Sequence, residues 1–333
     1  MTFGATEEAL SPALLPLKCD KWCELSLYVT FGARKIEIYA KNKQIFHVTR
    51  LHPVSQYDIM PAKERGWYPV KKETYLELRN KTVVKANDLI QKSRFNMTLQ
   101  QQKMVLFLIS QIDQMDEDFK LYEFSIQEFC KVCGIDSTSG KNYQDVKQAI
   151  KDIADISVWV NVNQDEETLI RWIEKPYINN KSGIVRVRLD QDMKPFLLQL
   201  KNNFTKYELI YTLYFKSKYS IRLYELAKSI HYRELEEYRR VFSLDELRTI
   251  LGGENYTQYR DFKRRVLDIA VAEINEYSDK IVEYIPKKMG KSVYAVELVI
   301  NSKTILERLA IRSKIEKEMG NDQMTLFDKV NEA

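Results

Sequence analysis

The residues best suited to binding chemistry lie between Tyr259 and Arg265, where four cationic side chains accompany one carboxylate. On a helix anchored by Phe262, Arg260 and Arg264 project nearly opposite the apolar side. Guanidinium groups in that position can bind guanine edges bidentately, while flanking cations bind phosphates. The opposing interpretation is a solvated, salt-bridged helix face, which charge runs commonly form. The candidate nucleic-acid contacts in this stretch are Thr257, Tyr259, Arg260, Lys263, Arg264 and Arg265.

The apolar side of the same helix follows from its spacing. At about 100° per residue, Val266, Ile269 and Glu273 fall close to Phe262 on the helical wheel, with Ala270 further round. The sequence therefore predicts a recognition helix that opens near residue 256, packs residue 269 towards the core and directs its arginines outwards.

A second group of cations, Lys287, Lys288 and Lys291, flanks Met289 and Gly290 and indicates the tip of a β-hairpin. Ammonium groups are point charges that suit phosphate contacts and carry little base information. Lys181 occupies a comparable turn earlier in the chain. Lysines on exposed loops are common, so a solvated hairpin tip is the alternative.

A third set lies on a predicted helix over residues 141–151. Gln144 and Gln148 are predicted to point away from Val146, with Lys151 nearby. This segment contains no arginine, so we expect it to recognise bases less strongly than the arginine-bearing helix, or to hold only the DNA backbone. A solvated helix face is an equal alternative. The candidate contacts here are Gln144, Lys147, Gln148 and Lys151.

Enzyme chemistry has little support in the sequence. The chain has three histidines, no Gly-rich P-loop signature and no recognisable set of catalytic carboxylates. Cys130 and Cys133 form a C-x-x-C pair and Cys19 and Cys23 a second pair, but over 100 residues separate the two. Cys133 is explained more simply as a small buried apolar residue than as a zinc ligand. We therefore expect no catalytic residues, no cofactor and no metal.

Composition limits the class of protein. The 333 residues include 52 Lys and Arg against 47 Asp and Glu, a net charge of +5, so any nucleic-acid surface must be local. Only 10 Gly and 8 Pro favour a helix-rich chain. The sequence shows no apolar run long enough to span a bilayer and no secretory signal. Four cysteines are too few for a disulfide scaffold, which favours a cytoplasmic location.

The elements that must position these cations recur along the chain. Phe124-Ser125 matches Phe242-Ser243, and each pair opens an S-x-x-E capping box before a short helix that ends in glycine. Each copy is predicted as helix, strand, short helix, longer helix and β-hairpin, which is the order of a winged helix. The copy-one hairpin is predicted over 156–163 and 169–178 with a third strand at 183–189, and the copy-two hairpin over 281–286 and 293–300.

The predicted fold is α+β and helix-rich, with two tandem winged-helix domains related by internal duplication behind a small β-rich N-terminal appendage. Short alternating apolar runs between residues 25 and 49 favour a β-meander, and prolines from residue 53 to 69 favour a linker. The predicted domains are residues 1–75 for the appendage and linker, 80–200 and 203–305 for the winged helices, and 306–333 for a C-terminal helix and tail.

Several segments resemble signature segments of a known family. Residues 216–226 (KSKYSIRLYEL) and 259–267 (YRDFKRRVL), with 84–90 (VKANDLI) and 194–200 (KPFLLQL), are similar to theta-type plasmid replication initiators with two winged-helix domains. The resemblance covers about residues 80–305. Residues 1–75 lie outside that pattern and look more like the small β-barrel of some insertion-sequence transposases.

The resemblance implies a sequence-specific initiator that binds direct repeats at a plasmid-type origin in double-stranded DNA. It implies monomers that open the origin and recruit the host replicative helicase and initiator. It also implies homodimers, formed through copy one, that repress the initiator's own gene, and no membrane partner. The rival functions are a winged-helix transcriptional regulator without a replication role and a transposase-related enzyme that would need a carboxylate triad.

Overall fold

The structure is a computed structural model that describes the backbone of short strands between Leu25 and Pro69 and, in detail, residues 74–161, 166–231 and 236–319. The chain divides into two compact units, Met1–Arg65 and Gly66–Ala333. In the first unit, strands β1 (Leu25–Phe31), β2 (Arg34–Lys41) and β3 (Gln44–His47) form an antiparallel meander, and β4 (His52–Pro53) pairs with β2. The predicted meander is confirmed for the backbone. Cys19 and Cys23 lie outside the described residues.

The second unit begins with the elements of copy one. In chain order they are β5 (Trp67–Pro69), α1 (Tyr75–Asn80), β6 (Thr82–Ala86), α2 (Asn87–Gln91), α3 (Leu99–Ile109), β7 (Leu121–Ser125), α4 (Ile126–Val132), α5 (Gly140–Asp155), β8 (Ser157–Asn161), β9 (Glu167–Arg171), β10 (Tyr177–Ile178), β11 (Ile184–Val187) and α6 (Lys194–Leu197). Strand β5 falls where the prolines predicted a linker, and it pairs in parallel with β7. This part of the predicted linker is therefore wrong, because its backbone joins a sheet.

Copy one packs α3, α4 and α5 against a four-stranded sheet with the order β10, β11, β7, β5. Its wing is the turn between β10 and β11, which contains Lys181. The prediction of one strand over 169–178 is wrong, since β9 ends at Arg171 and Tyr177 begins a strand in another sheet. Pro176 accounts for the break because proline has no N–H for a strand ladder. Strands β8 and β9 form a separate hairpin, whereas copy two passes directly from its recognition helix to its wing.

Copy two repeats the same order. Its elements are β12 (Phe204–Glu208), α7 (Ile210–Leu213), α8 (Lys218–Ile230), β13 (Tyr238–Ser243), α9 (Leu244–Leu251), α10 (Tyr259–Phe262), α11 (Asp268–Tyr277), β14 (Lys280–Met289), β15 (Ser292–Ser302) and α12 (Ile305–Met319). Sheet order β13, β15, β14 matches order β7, β11, β10 of copy one. The predicted recurrence of elements is confirmed, with a longer wing in copy two. None of the described helices is long and apolar enough to cross a membrane.

Helix ends follow the capping signals in the sequence. The Ser125 hydroxyl accepts from the Glu128 N–H, and the Glu128 carboxylate accepts from the Ser125 N–H, so both donors at the start of α4 are satisfied. The Ser243 hydroxyl accepts from the Glu246 N–H at the start of α9. Helix α9 ends at Gly252 with φ of +70°, a left-handed conformation that glycine adopts without steric cost. These caps fix where the helix-turn-helix bends.

The two copies share a polar junction buried between them. Strand β6 of copy one pairs antiparallel with β12, the first strand of copy two. Beside this pair the Lys85 ammonium lies 2.7 Å from the Glu225 carboxylate, and both side chains are buried. The Tyr207 hydroxyl donates to the same carboxylate. Burial lowers the pKa of Lys85, although Glu225 opposes that shift. Removing one partner would leave a buried charge unpaired, so the pair fixes how the copies meet.

Arg222 extends this junction to the helix-turn-helix. Its Nε donates to the Ile250 carbonyl at 2.8 Å, and Nη2 donates to the Ser93 carbonyl at 3.2 Å. The guanidinium lies 4.2 Å from the centroid of the Phe95 ring, and burial lowers the pKa of Arg222 to about 10. Arg222 and Glu225 belong to the family-like segment 216–226. Through these two residues, that segment helps to hold the two copies together.

Candidate nucleic-acid interface

The recognition helix of copy two is continuous but unevenly wound. It begins at Tyr259, after Gln258, and residues Lys263–Leu267 between α10 and α11 form a π-helical turn. The Asp268 N–H donates to the Lys263 carbonyl, five residues back. A π turn holds more residues than an α turn, and such turns occur frequently at functional sites. The helix opens later than predicted, so Thr257 precedes it.

This π turn corrects the predicted apolar face. Ile269 was expected towards the core but is 42% exposed. Because a π turn contains one extra residue, every later side chain lies about 100° further back around the helix axis than in a regular α-helix. Leu267, Ala270 and Ile274 are buried instead. A signal was present in the sequence: Phe262, Val266, Ala270 and Ile274 are four apart, and in a regular α-helix each step of four drifts by about 40°. Only an underwound helix keeps all of them on one face.

Three arginines remain on the outer surface of this helix. Arg260, Arg264 and Arg265 are all exposed. Arg264 lies 3.3 Å from the Asp261 carboxylate, an exposed pair in which its side chain is 64% accessible. Such pairs contribute roughly 0–1 kcal/mol, so Arg264 can leave Asp261 at low cost. Within the described residues, neither Arg260 nor Arg265 has an ion-pair partner. The structure thus brings three long, available donors to one surface.

Lys263 is tied to the wing. Its ammonium lies 2.9 Å from the Asp268 carboxylate, to which the Tyr284 hydroxyl also donates. Bonding to Asp268 raises the pKa of Lys263. Burial alone would raise the pKa of Asp268, but hydrogen bonds from Tyr284 and Lys263 bring it below its usual value. We call Lys263, Asp268 and Tyr284 the wing latch, because they connect β14 to the recognition helix.

The turn before the recognition helix is held by a residue that sequence reasoning missed. Arg248 on α9 donates to the Thr257 carbonyl at 2.7 Å and pairs with Asp245 at 3.0 Å. Its guanidinium lies 5.6 Å from the Phe262 ring centroid. This hydrogen bond holds the backbone of Thr257 in place, and the Thr257 side chain is exposed. Tyr259 is half-buried, and its hydroxyl has no hydrogen-bond partner within the described part of the chain.

The wing carries two of its three predicted lysines at the tip. Lys288 and Lys291 are exposed beside Gly290, whose φ of +61° makes the turn. Lys287 lies further down β14, where it pairs with the Glu297 carboxylate at 2.7 Å. The prediction of three ammonium groups on the tip is therefore wrong for Lys287. Its charge is already compensated by a strand neighbour.

A β-bulge adds an aromatic residue that the sequence pattern did not reveal. Lys287 pairs with Ala295 and Lys288 with Val293, so Tyr294 is the extra residue between them. It is 55% exposed, and Met289 at the tip is also exposed. Bulges commonly redirect a side chain near a functional site. Tyr294 is therefore an exposed aromatic side chain on the wing.

The equivalent helix of copy one, α5, is a regular α-helix. Gln144 and Lys151 are exposed and Lys147 is half-buried. The Gln148 amide donates to the Asp152 carboxylate at 2.7 Å. The structure therefore places the four predicted residues on one helix, but with fewer available charged donors than copy two. The single apolar stripe of α5 contains Val146, Ala149, Ile150 and Ile153.

Cys130 and Cys133 lie in the core, as expected for Cys133. Burial raises the pKa of the Cys130 thiol to about 11 and that of Cys133 to about 12. Both thiols are therefore protonated at neutral pH, which makes them poor nucleophiles and poor metal ligands.

Known proteins with the same arrangement include replication initiators. The family model for the first winged helix (WH1) of the initiator replication protein matches residues 82–228, and that for WH2 of the initiator Rep protein matches residues 243–300. A replication initiation protein of Escherichia coli is 26% identical over 229 residues, 65% of this chain and 69% of that protein. The crystal structure of the Pi initiator protein in complex with iteron DNA aligns with a TM-score of 0.57 at 18% identity, covering 68% of this chain and 98% of that one. The predicted fold of two tandem winged helices is confirmed.

Proposed function

The chain belongs to the family of initiator replication proteins, and on that premise we propose that it binds direct repeats at a plasmid-type origin and starts replication there. The single observation that carries the proposal is the surface of copy two. Arg260, Arg264 and Arg265 are exposed on the recognition helix, and Lys288 and Lys291 are exposed on the wing. Arginines on the helix suit base edges, and lysines on the wing suit phosphates.

Copy two is the principal reader in this proposal. Copy one assists on adjacent DNA through Gln144, Lys147, Gln148 and Lys151, or takes part in a homodimer. Monomers bind the repeats and bring in the host helicase, while dimers repress the initiator's own gene. These roles are what the resemblance to plasmid replication initiators implies, and within this proposal the buried junction between the copies is the place where the two states differ.

The experiment measures binding and replication separately. Fluorescence anisotropy with a cognate repeat and a scrambled duplex should show a preference for the repeat. A plasmid with only the repeat array and its AT-rich tract as an origin should replicate when the chain is supplied in trans. Specific binding without such replication would favour a transcriptional regulator and contradict the initiator proposal.

The division between the two units can be tested in the same assays. A chain that starts at Gly66 retains β5 and the whole of copies one and two. We expect it to bind the repeat within about twofold of the full chain. A much larger loss would place part of the reader within residues 1–65.

A further inference from the structure

A small cavity lies in the junction between the two copies. Its volume is about 10 Å³, which is close to the room that a single water molecule needs. Lys85, Gln102 and Trp172 of copy one line the cavity, and Glu225 on α8 of copy two lines it as well. All four residues are more than nine-tenths buried. Both copies therefore contribute polar groups to one cavity that has little access to bulk solvent.

Two of these side chains carry polar atoms that have no hydrogen-bond partner among the described residues. They are the indole Nε1 of Trp172 and the amide oxygen Oε1 of Gln102. The Gln102 amide nitrogen donates to the Met97 carbonyl at 3.4 Å. Because a carbonyl can only accept, this bond identifies the nitrogen of the amide and leaves its oxygen to bond elsewhere. Buried polar atoms without a partner are rare and costly, so a donor and an acceptor at one cavity require an explanation.

The ion pair at the same cavity can form further hydrogen bonds. The Lys85 ammonium has three N–H donors, and its bond to Glu225 at 2.7 Å uses one of them. Glu225 accepts from Lys85 and from the Tyr207 hydroxyl, and both bonds end on Oε1. Its second oxygen, Oε2, is thus able to accept. A buried ion pair is stable only when the remaining protons and lone pairs are also bonded.

We propose that one water molecule binds in this cavity and bridges the two copies. The water accepts hydrogen bonds from the Trp172 indole and the Lys85 ammonium. It donates to the Gln102 amide oxygen and to Oε2 of Glu225. Four hydrogen bonds are the most that a buried water makes. Because Glu225 comes from copy two and the other partners from copy one, the site exists only when the copies are docked.

The cavity favours a single neutral molecule over other ligands. An entirely apolar cavity of this size stays dry, whereas this one is lined by a buried donor, a buried acceptor and an ion pair. Lys85 repels cations and Glu225 repels anions. A volume of about 10 Å³ excludes larger molecules. This inference goes beyond the proposed function and does not rest on it.

The test follows the indole proton of Trp172 by NMR in the full chain labelled with [15N]tryptophan. We expect a cross-peak to water with opposite signs in laboratory-frame and rotating-frame Overhauser spectra, which distinguishes a held water from proton exchange. Trp159 is 46% exposed and is the internal control, which should show only exchange with bulk water. Trp172→Phe identifies the signal. If that variant does not fold, Trp22→Phe, Trp67→Phe and Trp159→Phe assign it by elimination.

Three variants separate the bound water from other sources of signal. Gln102→Met removes the amide acceptor at similar side-chain length and should reduce the cross-peak intensity about twofold or more. Gln100→Met makes the same change on α3 outside the cavity and should leave the intensity unchanged. Tyr207→Phe removes a hydroxyl that could relay magnetisation from bulk water, and the cross-peak should remain.

Three results would overturn the proposal. The first is a Trp172 indole proton without the cross-peak, or one that exchanges with bulk water as fast as that of Trp159. The second is an equal intensity in the Gln102→Met and wild-type chains. The third is loss of the cross-peak in Tyr207→Phe, since a hydroxyl relay would then explain it. Repeat binding is measured separately by anisotropy, so failure of this proposal and failure of the proposed function are distinguishable.

Discussion

The two winged helices carry the same tripeptide, Asp-Ile-Ala, at equivalent places in their recognition helices, and they bury it differently. In copy one Ile153 is fully buried, whereas in copy two Ile269 is 42% exposed. Copy one has a regular α-helix with an exposed Lys151, and copy two has a π turn with a buried Leu267 at the matching position. The same tripeptide therefore faces the core in one copy and solvent in the other, because the helical turn before it is wound differently.

The same difference separates their binding surfaces. At the positions of Arg260 and Arg264 in copy two, copy one has Gln144 and Gln148. Asp268 in copy two is bonded to Lys263 and to Tyr284 of the wing, while Asp152 in copy one accepts from Gln148 of its own helix. Copy two therefore combines exposed arginines with a helix and wing that are bonded to each other, which is why we propose it as the stronger DNA-binding copy.

The largest expected effect tests the shift in winding. Ile153→Ala should lower the free energy of unfolding by about 2–5 kcal/mol because it opens a cavity in the core. Ile269→Ala, at the equivalent position, should cost less than about 1 kcal/mol because its side chain is partly in water and alanine favours helices. Urea unfolding followed by circular dichroism measures both. Equal losses would mean that the two helices are wound alike.

The next effect concerns base reading. Arg264→Ala should reduce the preference for the cognate repeat over scrambled DNA by about 1–3 kcal/mol if Arg264 binds a guanine edge. Gln148→Ala, the matched change in copy one, should reduce that preference less, since Gln148 already bonds to Asp152. The measurement is anisotropy with both duplexes for each variant. If Arg264→Ala loses the same affinity on both duplexes, the copy-two helix only holds the backbone and residues 141–151 become the candidate readers.

The wing latch should have a smaller effect. Tyr284→Phe removes the hydroxyl that donates to Asp268 and should weaken binding to the repeat by about 1 kcal/mol, or roughly fivefold. The physical reason is that β14 is then less firmly held to the recognition helix. Tyr177→Phe on the wing strand of copy one is the control and should leave affinity unchanged. An unchanged affinity for Tyr284→Phe would show that the latch does not position the wing for DNA.

The sequence predicted the order of elements well and the details of the site less well. Capping residues such as Ser125 and Ser243 and the recurrence of Phe-Ser were local signals, so the helices they begin were found. The π turn was missed because a helical wheel assumes constant rotation per residue. Tyr294 was missed because a bulge depends on the register of two strands. Pairing of Lys287 with Glu297 depends on that same register.

The smallest effects on DNA affinity are expected when the wing lysines are substituted. Lys288→Ala and Lys291→Ala should each weaken binding to cognate and scrambled DNA about equally, and each should reduce the slope of log affinity against log salt by about 0.9, the value for one phosphate contact. Lys287→Ala should change the slope less, because Glu297 already compensates its charge. Lys181→Ala applies the same test to the copy-one wing. Salt titrations with both duplexes measure all four variants. If Lys287→Ala reduces the salt slope by about one unit, Lys287 must leave Glu297 when DNA binds. If a wing substitution weakens binding to the cognate duplex alone, the wing must contact bases.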